Sequence, residues 1–281
     1  MTYDSQYEDL LQVPHNKTPI WRYMGFSNFL WMIQNSKLHF HRGDDFSDPF
    51  EGTTPRAVKN IRDESLESSD IPDDVVHPSD LRREMRKQAF LNCWHKNKHE
   101  SAAMWDLYGE YDKTIAIYTT VGSLKKSINM TDFPIAIGRV LYADYQKKWE
   151  NLDADSRLAI NALYGNSEGM HLFEPYFLKQ KSYQHEQEIR AVIPAYGFNT
   201  EEEPWDELAW KEMSKDIALQ RPADTGLDIE VDLSSLIKKV YVSPDSDPWF
   251  KETVAKAVEQ EEDNIGDVQV HQSELTEDPL Y

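Results

Sequence analysis

The residues best suited to chemistry fall in Tyr183–Pro194, YQHEQEIRAVIP, where Glu186, Glu188 and Arg190 stand at alternate positions and lead into the apolar run Ala191–Ile193. In an extended chain residues two apart point the same way, so a strand here would set all three charges on one face. A carboxylate fixed beside a reacting carbon stabilises positive charge only as it develops, which lowers a barrier rather than merely tightening binding. Cleavage of a glycosidic bond is one such use. A second carboxylate can take a proton from the attacking group. A guanidinium beside Glu188 relieves the repulsion between the two acids and keeps Glu188 ionised at neutral pH. The same alternation also suits a solvated sheet face whose charges pair across strands. With Asp48 added, the two glutamates would suit a metal-dependent nuclease.

Several elements must hold these groups. Pro19 begins the structured chain, and IWRYMGFSNFLWMIQNSKLHF reads as strand, helix, strand: Trp21–Met24 extended, Ser27 as N-cap, Phe29, Leu30 and Ile33 on an apolar helical face, Lys37–His41 extended again. DDFSDPFEG is turn chemistry, because Asp45 and Asp48 can bond nearby backbone N–H groups and Pro49 disfavours helix at Asp48. Residues 53–92 read as mostly helical, broken by DESLESSDIPDD and restarted at Ser79, with a strand at Phe90–Trp94. Ser101–Tyr108 is a helix capped by Gly109; TIAIYT (Thr114–Thr119) and Ile135–Tyr142 are strands; 153–164 is a helix. The remainder reads as strand, turn, strand, helix, strand through LDIEVDL, KKVYVSP, DPWFKETVAKAVEQ and DVQVHQS. Short connections between strands favour a mixed or antiparallel sheet over a doubly wound one. The expectation is an α+β fold: a flexible arm at 1–18, then one domain at 19–281 with an acidic insertion at about 197–226.

Composition narrows the function. The chain has 281 residues, 40% hydrophobic and 12% aromatic, which suffices for a sizeable core. Its net charge of −20 repels phosphate polymers over the general surface. Cys93 is the sole cysteine, so no intrachain disulfide and no cysteine-based zinc site is expected. The polar, acidic start lacks a signal peptide, and no apolar run approaches the roughly 20 residues that span a bilayer, so the expected setting is cytoplasmic with no membrane partner. No Gly-rich phosphate loop, G-x-S-x-G or H-E-x-x-H occurs. His39 with His41, and His95 with His99, lack an obvious third ligand, so no metal is expected.

Four segments in order carry a resemblance: W-R-Y at 21–23; L-H-F followed by F-S-D-P-F-E-G at 46–52; S-A-A-M-W-D-L-Y at 101–108; and K-x-x-x-Y-x-x-E-x-E-I-R at 179–190. Together they resemble the prokaryotic family catalogued as domain of unknown function 2971, over about residues 19–275. A more distant similarity is to the ADP-ribosyltransferase fold, whose members place an Arg or His on the first strand, a Ser or Tyr on a middle strand and a Glu, often in an E/Q-x-E motif, on a late one. Here Arg22 and Glu186-Gln187-Glu188 follow that order, while Tyr118, Tyr108 and Ser101 compete for the middle place. The resemblance implies an ADP-ribosyltransferase or NAD glycohydrolase, with NAD as substrate and a protein or nucleic-acid acceptor. It further suggests a toxin or phage-defence effector with a neutralising partner protein. It gives Glu188 the ribose cation, Glu186 the acceptor, and Arg22 the pyrophosphate or the ribose, an ion pair with Asp48 or Glu51 being the alternative for Arg22. Tyr23, Trp105, Tyr108 and Tyr118 are candidates for stacking on a ring, and Arg190 for supporting Glu188. A non-enzymatic module that binds a nucleotide or a protein through the same cleft is the alternative.

Overall fold

In the segments that pair, alternation along each strand decides which face a residue presents. The computed structural model describes residues 8–59, 78–108, 113–130, 133, 135–165, 174–194 and 226–276. Gly109, most of the 63–74 loop's flanks, the loop itself and all of the 197–226 insertion except Gly226 lie outside the described residues.

Among the described residues the main sheet has nine strands: β1 (Pro19–Gly25), β2 (Lys37–Arg42), β3 (Phe90–Lys96), β4 (Thr114–Thr120), β5 (Ala136–Arg139), β8 (Glu188–Ile193), β9 (Gly226–Glu230), β10 (Lys239–Val242) and β11 (Val270–Gln272). β6 (Leu141–Ala143) and β7 (Leu178–Gln180) form a separate parallel pair. Within the main sheet every pairing is antiparallel except β10 with β11. The expected single stretch Ile135–Tyr142 divides at Val140, whose N–H is taken by the Glu188 carbonyl, so β5 stays in the main sheet and β6 leaves it.

The sheet forks at β3. One edge of β3 pairs with β8 along Phe90–His95. The other is shared: β2 takes its start (His41 opposite Leu91) and β1 its end (Trp21 opposite His95). β1 and β2 are linked by α1 (Phe26–Asn35), whose Phe29, Met32 and Ile33 are buried on the core. They diverge from β3 and leave an opening between them. α1 begins after Gly25 with no side-chain cap, two residues ahead of the expected cap at Ser27, because Phe26 N–H is taken by the Lys113 carbonyl.

Alternation along β8 sorts the molecule into two cores. Ile189, Ala191 and Ile193 pack with Phe29, Phe40, Trp94, Ile117 and Val240. Val192, on the other side, packs with Leu91, Ala136, Phe177 and Leu178. Residues 8–18 do not stand apart from the body as an arm would. Leu11 is 1% exposed within the second core, and its carbonyl accepts from Arg139 N–H. Leu10 and Val13 pack beside it, and Glu8 pairs with Lys125 on the body.

Candidate active site

β8 begins later than the charge alternation suggests. Lys181–Glu186 is a 3-10 helix, and Gln187 turns the chain in the left-handed region (φ 43°, ψ 52°) before Glu188 opens the strand. Glu186 therefore does not share a strand face with Glu188 and Arg190. It returns to their side through the turn, and Lys179 on β7 ties it there. The Lys179 Nζ donates to Glu186 Oε2 at 2.6 Å and to Glu188 Oε1 at 2.7 Å. Tyr142 on β6 accepts from Glu188 N–H at 2.9 Å. The small β6–β7 pair thus fixes the point at which β8 starts.

Beneath this lies Arg190, fully buried. Its Nε donates to Glu188 Oε2 at 2.6 Å, and both terminal nitrogens reach Glu51, at 2.5 and 2.8 Å. NH1 also donates to the Tyr176 carbonyl at 2.6 Å and NH2 to Glu188 Oε1 at 3.2 Å. Glu51 is itself 0% exposed and comes from the Phe46–Gly52 turn. There Asp48 Oδ1 accepts from Phe50 N–H and the Asp48 carbonyl from Glu51 N–H. Gly52 sits at φ 65°, and a Cβ there would fall 2.5 Å from the Tyr176 ring. Only glycine lets the turn close over that ring. Two of the four sequence motifs, 139 residues apart at Glu51 and Arg190, thus meet in one ion-pair network.

Charge in the network is unequally held. Burial alone would raise Glu188, but Arg190 and Lys179 outweigh it and keep the carboxyl well below the usual range. Burial and the hydrogen bond with Glu188 push Glu186 up to about 7. Burial likewise pushes the Cys93 thiol up, so it stays protonated and is no nucleophile.

A cavity of about 930 Å³ opens over this network. Glu186, Glu188, Arg22, Tyr23 and Tyr108 all line it; Trp105, Tyr118 and Arg190 do not. Trp105 is buried beneath, its ring centroid 4.9 Å from that of Tyr23 in an edge-on arrangement and its Nε1 donating to Glu100. Tyr118 packs 4.9 Å from Trp21 in the same aromatic cluster. Neither is placed to stack on a ligand. Tyr23 presents its ring while its hydroxyl accepts from Ser101 N–H at 2.9 Å, and Tyr108, 45% exposed, stands at the mouth beside Trp31 and Leu107.

Arg22 reaches the cavity in a way no local pattern shows. Trp21, His95 and Glu188 are lateral partners across β1, β3 and β8, so they point to one side and Arg22 to the other. The fork between β1 and β2 lets the cavity take in both. Arg22 is half-buried, its guanidinium 5.8 Å from the Trp94 ring, and its one hydrogen bond is a long one, 3.4 Å from NH2 to the His39 carbonyl. NH1 is shielded from water with no acceptor, and no carboxylate among the described residues pairs with it; Glu51 is taken by Arg190, and Asp48 Oδ1 by Phe50 N–H. Burial lowers its pKa to about 10. Two other shielded atoms without partners, Asp48 Oδ2 and His95 Nε2, belong to residues of the same wall.

Sequence reasoning gave no role in this network to Lys179, Glu51 or Tyr142, and weighed His95 only as one of a metal pair with His99. The first two do stand inside the quoted motifs, as the K of K-x-x-x-Y and the E of F-E-G, which was the available signal.

Residues 104–191 match the family model described as Protein of unknown function (DUF2971). The matched segment contains Lys179, Glu186, Glu188 and Arg190; Arg22 and Glu51 lie before it. No curated protein matches the sequence. Among solved structures, Thermus sp. 2.9 DarT in complex with NAD+ aligns over 94% of this chain and 98% of its own, with TM-score 0.38 and 11% identity. The same protein in complex with ADP-ribosylated ssDNA aligns over 92% and 94%, with TM-score 0.35 and 11% identity. Likeness at that level matches no residue to another, so the ligands of those structures say nothing of this chain's side chains.

Proposed function

We propose that this chain cleaves the nicotinamide–ribose bond of NAD and passes ADP-ribose to an acceptor or to water. One observation carries the reading: Glu188, buried and held ionised, lines the same cavity as Arg22, a guanidinium without an anionic partner among the described residues. A buried positive group lacking its counter-charge is costly, and a phosphate would relieve it. The cavity volume lies in the range of about 300–1,000 Å³ found for ligand pockets. NAD has the matching parts: a dianionic pyrophosphate for Arg22, flat rings for Tyr23 and Tyr108, and a ribose that becomes cationic when nicotinamide leaves.

In the reaction the C1′–N1 bond breaks and its electron pair stays on nicotinamide, which departs neutral. Glu188 stabilises the charge left on the ribose. The acceptor's lone pair then bonds C1′, and Glu186, when ionised, takes the acceptor's proton. Unchecked NAD consumption harms the producing cell, which suits a cytoplasmic toxin or phage-defence effector restrained by a neutralising partner. No helix among the described residues is long and apolar enough to cross a membrane.

The test is release of nicotinamide from NAD by the purified chain. Glu188→Gln should lower it at least about 100-fold, the cost typical of removing one transition-state electrostatic contact, with circular dichroism confirming that the fold persists. Absence of release from the unmodified chain, across protein and oligonucleotide acceptors, overturns the proposal.

One observation favours a second reading. Both Glu188 oxygens already accept hydrogen bonds, from Arg190 and from Lys179. A carboxylate so occupied also suits a nucleotide-binding module without turnover. That reading predicts a rise in melting temperature on adding NAD, abolished in Arg22→Met, with no nicotinamide released. The nuclease alternative is poorly served, because the Lys179 ammonium stands between the two carboxylates where a divalent cation would have to bind.

A further inference from the structure

Two carboxylates side by side in a shielded wall ordinarily share one proton, since like charges at such range cannot both ionise easily. Glu186 and Glu188 have in addition a cation seated between them. Lys179 Nζ lies 2.6 Å from one and 2.7 Å from the other, with all three side chains less than a tenth exposed. The Tyr183 ring, 4.6 Å from the ammonium, closes its remaining side. Arg190 reaches Glu188 but makes no bond to Glu186, so the ammonium is the cation the two acids have in common.

We propose that Lys179 is a positioning residue for the reaction proposed above: seated between the two carboxylates, it keeps Glu188 ionised for the ribose and leaves Glu186 as the group that exchanges a proton with the acceptor. The inference rests on that reading. With Glu186 ionised, the network of Glu51, Glu186 and Glu188 against Lys179 and Arg190 carries three negative and two positive charges, a net −1. Without Lys179 the same set is −2, and a proton must be retained to offset it. Besides the members of that network, Tyr108, Tyr142, His95 and Cys93 interact electrostatically with the pair. Burial holds the two tyrosines and the thiol protonated and the imidazole neutral at neutral pH, so none of them replaces the lost cation.

The experiment follows the glutamate side-chain carboxyls by carbon-13 NMR against pH, in the unmodified chain, Lys179→Met, Lys179→Arg and Glu186→Gln. One resonance titrating near neutral pH is expected in the unmodified chain and absent in Glu186→Gln. In Lys179→Met that midpoint should rise by about one unit or more, and in Lys179→Arg it should return towards the original. Where nicotinamide release is measurable, the pH at which activity appears should move with it. If Lys179→Met does not fold, Lys179→Gln provides the same comparison. A midpoint unmoved by removing the ammonium, or moved equally by Lys179→Arg, overturns the inference. The titration needs no turnover: loss of the NAD reading shows as absent nicotinamide release, and failure of this inference as an unshifted resonance.

Discussion

Arg190 and Arg22 occupy the same sheet, the first buried beneath the cavity and the second lining it, yet one is saturated and the other is not. Arg190 makes five hydrogen bonds to two carboxylates and a carbonyl, all out of solvent. Arg22 makes one bond of 3.4 Å and has a shielded nitrogen with none. The difference separates two uses of a guanidinium. Arg190 holds the fold's charged centre together and orients Glu188 from behind. Arg22 lines the cavity and keeps a shielded nitrogen with no partner among the described residues.

The largest test of that contrast removes Arg190. Arg190→Met leaves Glu51 and Glu188 buried together without their common cation, and the expected loss of stability is about 3–5 kcal/mol, read by urea denaturation. A loss below about 1 kcal/mol would mean the network behaves like a surface ion pair. The same change at Arg22 should act in the opposite sense. Arg22→Met discards a poorly satisfied charge, so the urea midpoint should hold or rise while NAD affinity falls about 10-fold or more, the value of a charge-assisted contact. A strong destabilisation without loss of binding would make Arg22 structural and erase the distinction.

The smallest effect concerns pH. Glu186 is raised from an unfolded value near 4.3 to about 7 in the fold, so the folded chain binds the extra proton between those limits. Its contribution to stability is therefore greatest below the unfolded value, declines as pH rises from about 4 to about 7, and is constant above. Glu188 has the opposite sign, its contribution failing only as pH falls below the usual carboxylate range. Glu186→Gln should flatten the decline between pH 5 and 7 in thermal melts, and an unchanged slope would show that another group titrates there.

Much of the fold was legible because strands and helices announce themselves locally. TIAIYT, KKVYVSP and DPWFKETVAKAVEQ fall within a residue or two of β4, β10 and the helix Pro248–Gln260, since period and branching are properties of neighbours in sequence. The candidate site was legible in part for the same reason. Glu188 and Arg190 alternate on a real strand, while the turn at Gln187 that removes Glu186 from it has no local signature, glutamine being an unusual left-handed residue. Trp105 and Tyr118 look the same as ligand-stacking residues in sequence; their burial in an aromatic cluster comes from what packs over them.

The amino-acid order alone determined which side chains could bear charge, the alternation that sends Ile189, Ala191 and Ile193 to the core, and the antiparallel bias of the sheet. Only the tertiary structure decided that Glu51 would neutralise Arg190, that Lys179 would sit between two acids, and that a fork at β3 would bring Arg22 to the cavity from the other face. Periodicity acts over a few residues, whereas the pairing of buried charges depends on groups that approach only when distant strands close.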